Sequence, residues 1–264
     1  MPVTTHECEL KVLPETKVWR YMSIEKYISL LENGALFFCR SDKFSDPFEG
    51  SIPKKEAAGR NDLNKRLGGD ITKAMRIIQE ENNRGIQSLH QRFRRATVVN
   101  CWQISNFESD AMWRLYLKDN EGLAVSTTVG KLCDSFENTN LKIGSSKVRY
   151  LNYEEDIWYH PVEYPVNSYN MLTPLLHKRK EYSYENEFRL YLHISEALND
   201  ERFWENQPNH KGTLVPVDVH TLVEEIILPP TADDSSQKQI EELIRKHCYS
   251  FSIRKSALQS TPVY

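Results

Sequence analysis

Two glutamates, Glu185 and Glu187, stand at the head of the run Tyr182–Leu192, YSYENEFRLYL. Behind them Phe188, Leu190 and Leu192 alternate with Arg189, Tyr191 and His193, the period-2 pattern of a strand with one face on a core. At that spacing both carboxylates project to the same side, and Glu187 falls where the apolar pattern begins. Desolvation or a neighbouring acid raises the pKa of a carboxylate so placed, and such groups serve as general acids, bases or hydroxyl anchors. The plainer expectation is a strand start with Glu187 paired to Arg189 or Lys180. The basic turn His177-Lys178-Arg179-Lys180 lies directly upstream. It predicts either a charge-paired surface or one side of a cleft for an anionic ligand.

Other chemistries lack their residues. There is no GxSxG, no phosphate-binding glycine loop, no HExxH and no kinase HRD set. The five cysteines are scattered without CxxC or Cys/His ligand spacing, and Asp46 with Glu49 alone makes a poor ligand set, so no metal is expected. The chain of 264 residues carries a net charge of −3, which excludes a global basic field for nucleic acid. The cluster Arg92-Phe93-Arg94-Arg95 could still grip phosphate or stack on a base locally, although a solvated helix end explains it as well. The opening MPVTTHECELKV lacks a basic region followed by an apolar core, and no apolar run approaches the ~20 residues of a membrane helix. The expectation is a cytoplasmic protein without a membrane partner. Aromatic residues make up 11% of the chain, a supply that suits flat ligands as well as cores.

The elements that must position these groups read as a single α+β domain over residues 1–264. Val18 to Tyr21 predicts a strand, Ser23 caps a helix with Tyr27, Leu30 and Leu31 on its apolar stripe, and Asn33-Gly34 closes it before the strand Ala35 to Cys39. Arg40 to Gly50, RSDKFSDPFEG, is a turn-rich loop bent at Asp46-Pro47 and pinned by Phe44 and Phe48. Residues 60–95 read as a helical insertion broken at Gly68-Gly69. ATVVNCW predicts a central strand, Ser109 or Asp110 caps the helix holding Met112, Trp113 and Tyr116, and Leu123 to Thr127 is a further strand. Residues 212–264 read as a C-terminal strand–helix–strand extension.

Several of these segments resemble a bacterial family catalogued as domain of unknown function 2971: VWRYMS with the FSDPFEG loop, NCWQISNFESDAMWRLY, and YENEFRLYL, in that order. The unit VWRYMSIEKYISLLENGAL is also similar to the opening strand and helix of ADP-ribosyltransferases, with Arg20 at the basic position of that strand. Asn186-Glu187-Phe188 looks like the later strand start that supplies the glutamate of that fold. This second resemblance implies an ADP-ribosyltransferase-like fold of mixed sheets, with NAD as substrate and no metal. It implies that Arg20 orients the nicotinamide ribose or a phosphate, that Trp113 or Tyr116 stacks on nicotinamide, and that Glu187 accepts from the ribose 2′-hydroxyl and stabilises the charge that develops as nicotinamide leaves. Tyr21, Ser41, Phe48, Glu185 and Arg189 are the further candidate binding residues, and Ser126-Thr127-Thr128 resembles the serine–threonine motif of the toxin-like branch. The implied activity is transfer of ADP-ribose to a protein or nucleic acid, as in toxins or phage-defence effectors. The alternative is a non-catalytic nucleotide- or nucleic-acid-binding module of the same fold.

Overall fold

A short strand β1 (Val3–Thr4) precedes a strand–helix–strand unit made of β2 (Lys17–Met22), α1 (Ile24–Asn33) and β3 (Ala35–Arg40). Local chemistry sets its boundaries as the sequence leads one to expect. The Ser23 side chain accepts from the Lys26 N–H, Tyr27, Leu30 and Leu31 form the buried stripe, and Gly34 takes the left-handed turn at φ 54°. The computed structural model describes residues 2–4, 11–55, 57–58, 73–117, 122–157 and 172–260. The segment 60–72 of the expected insertion, with Gly68-Gly69, therefore lies outside the described residues. The rest of that insertion is one continuous helix, α2 (Lys73–Ala96), which runs without a break into β4 (Thr97–Ile104).

The chain continues through α3 (Asp110–Tyr116), β5 (Leu123–Thr128), α4 (Val129–Asp134), β6 (Ile143–Lys147), β7 (Arg149–Leu151), β8 (His177–Arg179), β9 (Glu187–His193), α5 (Ser195–Asn199), β10 (Gly212–Pro216), α6 (Val219–Leu222), β11 (Glu225–Leu228), α7 (Asp234–Lys246) and β12 (Ser252–Lys255). One large mixed sheet follows the order β1-β6-β9-β4-β2-β5-β11-β12, with β3 and β10 joined to it through β4. β7 and β8 form a separate parallel pair. The strands after residue 212 are thus integral to the sheet: β10 pairs with β3, and β11 pairs with β5.

β4 is the branch point. On one edge it pairs with β9 along its whole length, from Thr97↔His193 to Gln103↔Glu187. On the other edge its first half pairs with β3, at Val98↔Arg40 and Val99↔Cys39, while its second half pairs with β2, at Gln103↔Trp19 and Ile104↔Val18. β2 and β3 therefore diverge from a common strand, and α1, which links them, spans the opening. Two side chains bridge it: Asn100 Nδ2 donates to the Phe37 carbonyl at 3.0 Å and Arg20 donates to the Cys101 carbonyl at 3.4 Å.

Two expectations about the acid-bearing run need correction. Tyr182 to Glu185 is not strand but part of a 3-10 turn, Lys180–Glu185; Asn186 then adopts φ 37° and the strand begins at Glu187. Asparagine tolerates that left-handed conformation, and its Nδ2 donates to the Ile104 carbonyl at 2.7 Å, which fixes the turn. Second, β9 is buried on both faces. Phe188, Leu190 and Leu192 enter the main core as the alternation predicts, but Glu187, Arg189 and Tyr191 are buried too. Leu176 packs on Tyr191 from that side.

Gly144 on β6 faces Tyr191 across the ladder. A Cβ there would lie 2.0 Å from the Tyr191 ring, and the buried ring has little room to retreat. Gly144→Ala is expected to destabilise the protein by about 1–3 kcal/mol through overpacking, read as a lowered midpoint in urea or thermal unfolding.

Candidate functional site

The divergence of β2 and β3 opens a cleft of about 730 Å3. β2 contributes Trp19, Arg20 and Tyr21; β3 contributes Leu36, Phe37 and Cys39; β4 forms the floor with Cys101, Trp102 and Gln103; and β9 brings Glu187 and Arg189. Lys178 of β8, Glu185, Glu49 of the DPFEG loop and Tyr116 of α3 complete the polar part. By strand alternation Arg20 belongs to the same face of β2 as Val18 and Met22, whereas Glu187 shares the face of Gln103 and Trp19. The two meet one cavity because the cleft runs through the split in the sheet.

Arg20 lies over the Trp102 ring, 5.8 Å from its centroid, and among the described residues no carboxylate stands within ion-pair distance of it. Burial pulls its guanidinium below the ordinary arginine value, although the Cys101, Tyr116 and Cys39 side chains oppose that shift. Its NH1 donates to the Cys101 carbonyl at 3.4 Å, which leaves the other donors of the fork for an anion.

The acid side is the opposite case, a closed network. Arg189 donates through Nε to Glu187 Oε1 at 2.6 Å and through NH2 to Glu187 Oε2 at 3.0 Å, a forked pair. The same NH2 reaches Glu49 Oε2 at 3.2 Å, and NH1 donates to the Leu175 carbonyl. Lys178 Nζ stands among three carboxylates, 2.5 Å from Glu185, 2.8 Å from Glu49 and 3.5 Å from Glu187. Three carboxyl groups thus share two cations. The sequence expectation that basic residues lie against Glu185 and Glu187 holds, and so does the pairing of Glu187 with Arg189. Lys180 is not the partner, since it pairs with Asp156 at 3.2 Å.

The two glutamates titrate in opposite directions. Burial alone would push the Glu187 carboxyl up, but Arg189 and Lys178 outweigh it and hold the group down at about 2. This corrects the expectation of a raised value there. Glu185 is raised, first by burial and then by the neighbouring Glu187 and Glu49, with Lys178 working against the shift. Its only hydrogen bond among the described residues is to Lys178, through Oε2.

The remaining candidates separate cleanly. Tyr116 lines the cleft and is 46% exposed. Trp113 does not: it packs in a satellite core edge-on to Tyr21, with its Nε1 donating to Glu108 at 3.0 Å. Of the two proposed stacking residues only Tyr116 is available, because α3 turns Met112 and Trp113 inward and leaves Leu115 and Tyr116 outward. Tyr21 lines the cleft, while its hydroxyl accepts from the Ser109 N–H at 2.8 Å. Ser41 is buried away from the cleft, its Oγ donating to the Arg94 carbonyl at 2.6 Å. Phe48 lies under the Arg179 guanidinium at 4.6 Å, and Ser126 is fully buried in β5 between β2 and β11. Neither lines the cleft. The Arg92 cluster is turned against the protein: Arg92 donates to the Leu198 carbonyl and Phe93 stacks on His193 at 4.3 Å. Gln103 is a cleft residue that sequence reasoning did not single out, while Lys178 entered there only within the basic turn and Glu49 only in a metal-ligand set that was set aside. The DPFEG loop was the available signal for Glu49.

Acid should loosen this region in two stages. His177 is pulled down to about 4, mainly by burial; the unfolded chain then binds the proton first, so stability falls as pH drops from about 6.5 to about 4. Glu187, depressed to about 2, contributes stability that is complete above its unfolded value of about 4.5 and is lost as pH falls toward 2. Urea unfolding midpoints measured from pH 7.5 to 3 are expected to decline across both windows, and His177→Asn should flatten the upper one. Arg189→Met, which leaves three carboxylates to Lys178 alone, should cost about 3–5 kcal/mol at pH 7.

Among the described residues no helix is long and apolar enough to cross a membrane. No curated protein matches the chain. Residues 112–190 run from within α3 through the acid-bearing start of β9 and hold Tyr116, Lys178, Glu185, Glu187 and Arg189; this stretch matches the model of the family described as protein of unknown function (DUF2971).

Proposed function

We propose that the cleft binds NAD, cleaves its nicotinamide–ribose bond and transfers ADP-ribose to a macromolecular acceptor, on an ADP-ribosyltransferase-like architecture. The observation that carries this reading is that Arg20, Tyr116 and Glu187, from three separate parts of the chain, line one cavity. The charges suit a dinucleotide. Arg20 and Lys26 come from β2 and α1, while Glu187 and Glu185, with Lys178 and Arg189 against them, come from β9 and the turn before it, so a cation for phosphate and an anion for a developing positive charge stand on different elements.

In the reaction the bond between ribose C1′ and the pyridinium nitrogen breaks, and its electron pair neutralises that nitrogen. The ribose is left with oxocarbenium character, an acceptor nucleophile bonds to C1′, and the nucleophile's proton is released. Tyr116 offers its exposed ring to nicotinamide. Arg20 holds phosphate or ribose oxygens through its forked donors. Glu187, kept ionised by Arg189 and Lys178, supplies a fixed negative charge where positive charge grows, and such preorganised charge is worth most in a site shielded from water.

One observation favours a second reading. Both Glu187 oxygens are already engaged by Arg189, as they would be in a non-catalytic nucleotide-binding module whose acids serve only to build the wall. Nicotinamide release from NAD, with and without cell extract as a source of acceptor, separates the two. The expectation is release by the wild type that falls roughly a hundredfold or more in Glu187→Gln and in Arg20→Ala, with circular dichroism confirming that both variants fold. Full activity in a folded Glu187→Gln protein overturns the assigned mechanism. Stoichiometric NAD binding without release establishes the binding module.

A further inference from the structure

Gln103 sits on β4 between Trp19 of β2 and Glu187 of β9, in register with both, and all three line the cleft. Its Nε2 donates to the Tyr184 carbonyl at 3.2 Å. That contact fixes which end of the amide is which, because the flipped side chain would set two acceptor oxygens against each other. The amide oxygen is then left over. Gln103 is 6% exposed, and its Oε1 is buried with no hydrogen-bond partner among the described residues. Buried amide oxygens are nearly always paired, since an unpaired one forfeits its bonds to water and gains nothing in return. An orphaned acceptor just beneath the surface, on a residue that lines the cleft, points to a ligand that brings an N–H donor.

We infer that Gln103 reads the carboxamide of the nicotinamide group, accepting one of its N–H donors through Oε1. The inference rests on the NAD reading of the cleft. NAD carries two exocyclic amino groups that could serve, the nicotinamide carboxamide and the adenine amine. The position of Gln103 selects the first: it is the ladder partner of Glu187, on the wall where the nicotinamide ribose is placed, and its own Nε2 holds the turn that carries Glu185. Gln103 is a specificity residue in this assignment. Loss of its side chain should weaken preference for the amide more than it weakens binding of the dinucleotide as a whole.

The test is calorimetric titration of the full chain and its isosteric Gln103→Met variant with three dinucleotides. These are NAD, its 3-acetylpyridine analogue, which replaces the carboxamide by an uncharged methyl ketone without N–H, and its hypoxanthine analogue, which lacks the adenine amine. The wild type is expected to favour NAD over the acetylpyridine analogue by roughly ten- to a hundredfold, and Gln103→Met to bind the two within about twofold of each other while discriminating the hypoxanthine analogue as the wild type does. A mere loss of support for the Tyr184 turn would weaken all three together and leave the ratios unchanged. Wild-type discrimination retained in Gln103→Met, or altered at the adenine end instead, overturns the assignment to Gln103 and leaves NAD binding standing. Binding of none of the three by the wild type overturns the NAD reading itself.

Discussion

Everything at this site depends on one guanidinium placed where water cannot reach it. Arg189 lies in the middle of a buried strand face, and a charge so placed is tolerable only if it is paired and its donors are satisfied. Glu187, Glu49 and the Leu175 carbonyl meet that demand from β9 itself, from the loop after β3, and from the turn before β8. One side chain therefore ties together, by charge, three segments that also meet in the small apolar cluster of Phe44, Leu176 and Tyr191. Lys178 answers the carboxylate left over and draws in Glu185. Networks of this kind add little net stability over a well-packed apolar equivalent, but they are intolerant of displacement, since any shift exposes a buried charge without a partner. Their effect here is positional: the acid wall of the cleft is rigid before any ligand arrives.

The other wall follows a different logic. β2 and β3 separate because each pairs with only half of β4, and the space between them is kept open by α1 and bridged by the polar side chains of Asn100 and Arg20. Among the described residues Arg20 has no carboxylate to hold it, only a carbonyl oxygen at 3.4 Å and the face of Trp102. The cleft thus sets a locked anionic wall against a cation that can be recruited. A ligand with phosphate at one end and a group that becomes cationic on the other would find complementary surfaces in both places.

Much of this was legible in the sequence because it is local. The Ser23 cap, the Gly34 stop and the apolar stripe of α1 follow from neighbouring residues, and the alternation of Phe188, Leu190 and Leu192 correctly gives the core face of β9. The adjacency of HKRK to the two glutamates likewise foretold a charged contact. What the sequence hid is non-local. Whether Arg189 and Tyr191 face water depends on what covers them, and the cover comes from distant turns. Ser126 reads identically as a motif or as a strand interior until its neighbours β2 and β11 are known. Trp113 and Tyr116 are three apart on one short helix, and only the packing of Trp113 against Tyr21 decides which ring is free. Gln103 carried no signal, because only the fold shows that its Oε1 is buried without a partner among the described residues.

The forked pairing of β4 also has a consequence for how the chain comes into being. As the polypeptide emerges during synthesis, β2, β3 and β4 are complete long before β9 exists, so both diverging strands can dock on one edge of β4 while its other edge stays bare. That bare edge belongs to Thr97–Ile104, the β-branched and almost wholly buried TVVNCWQI, and an unpaired apolar edge is the feature most prone to capture a foreign strand. β9 arrives late, closes the edge along its full length and carries Glu187 and Arg189 with it. Protection from aggregation and completion of the cleft are therefore one event, and a chain interrupted before β9 would be both sticky and without its acid wall.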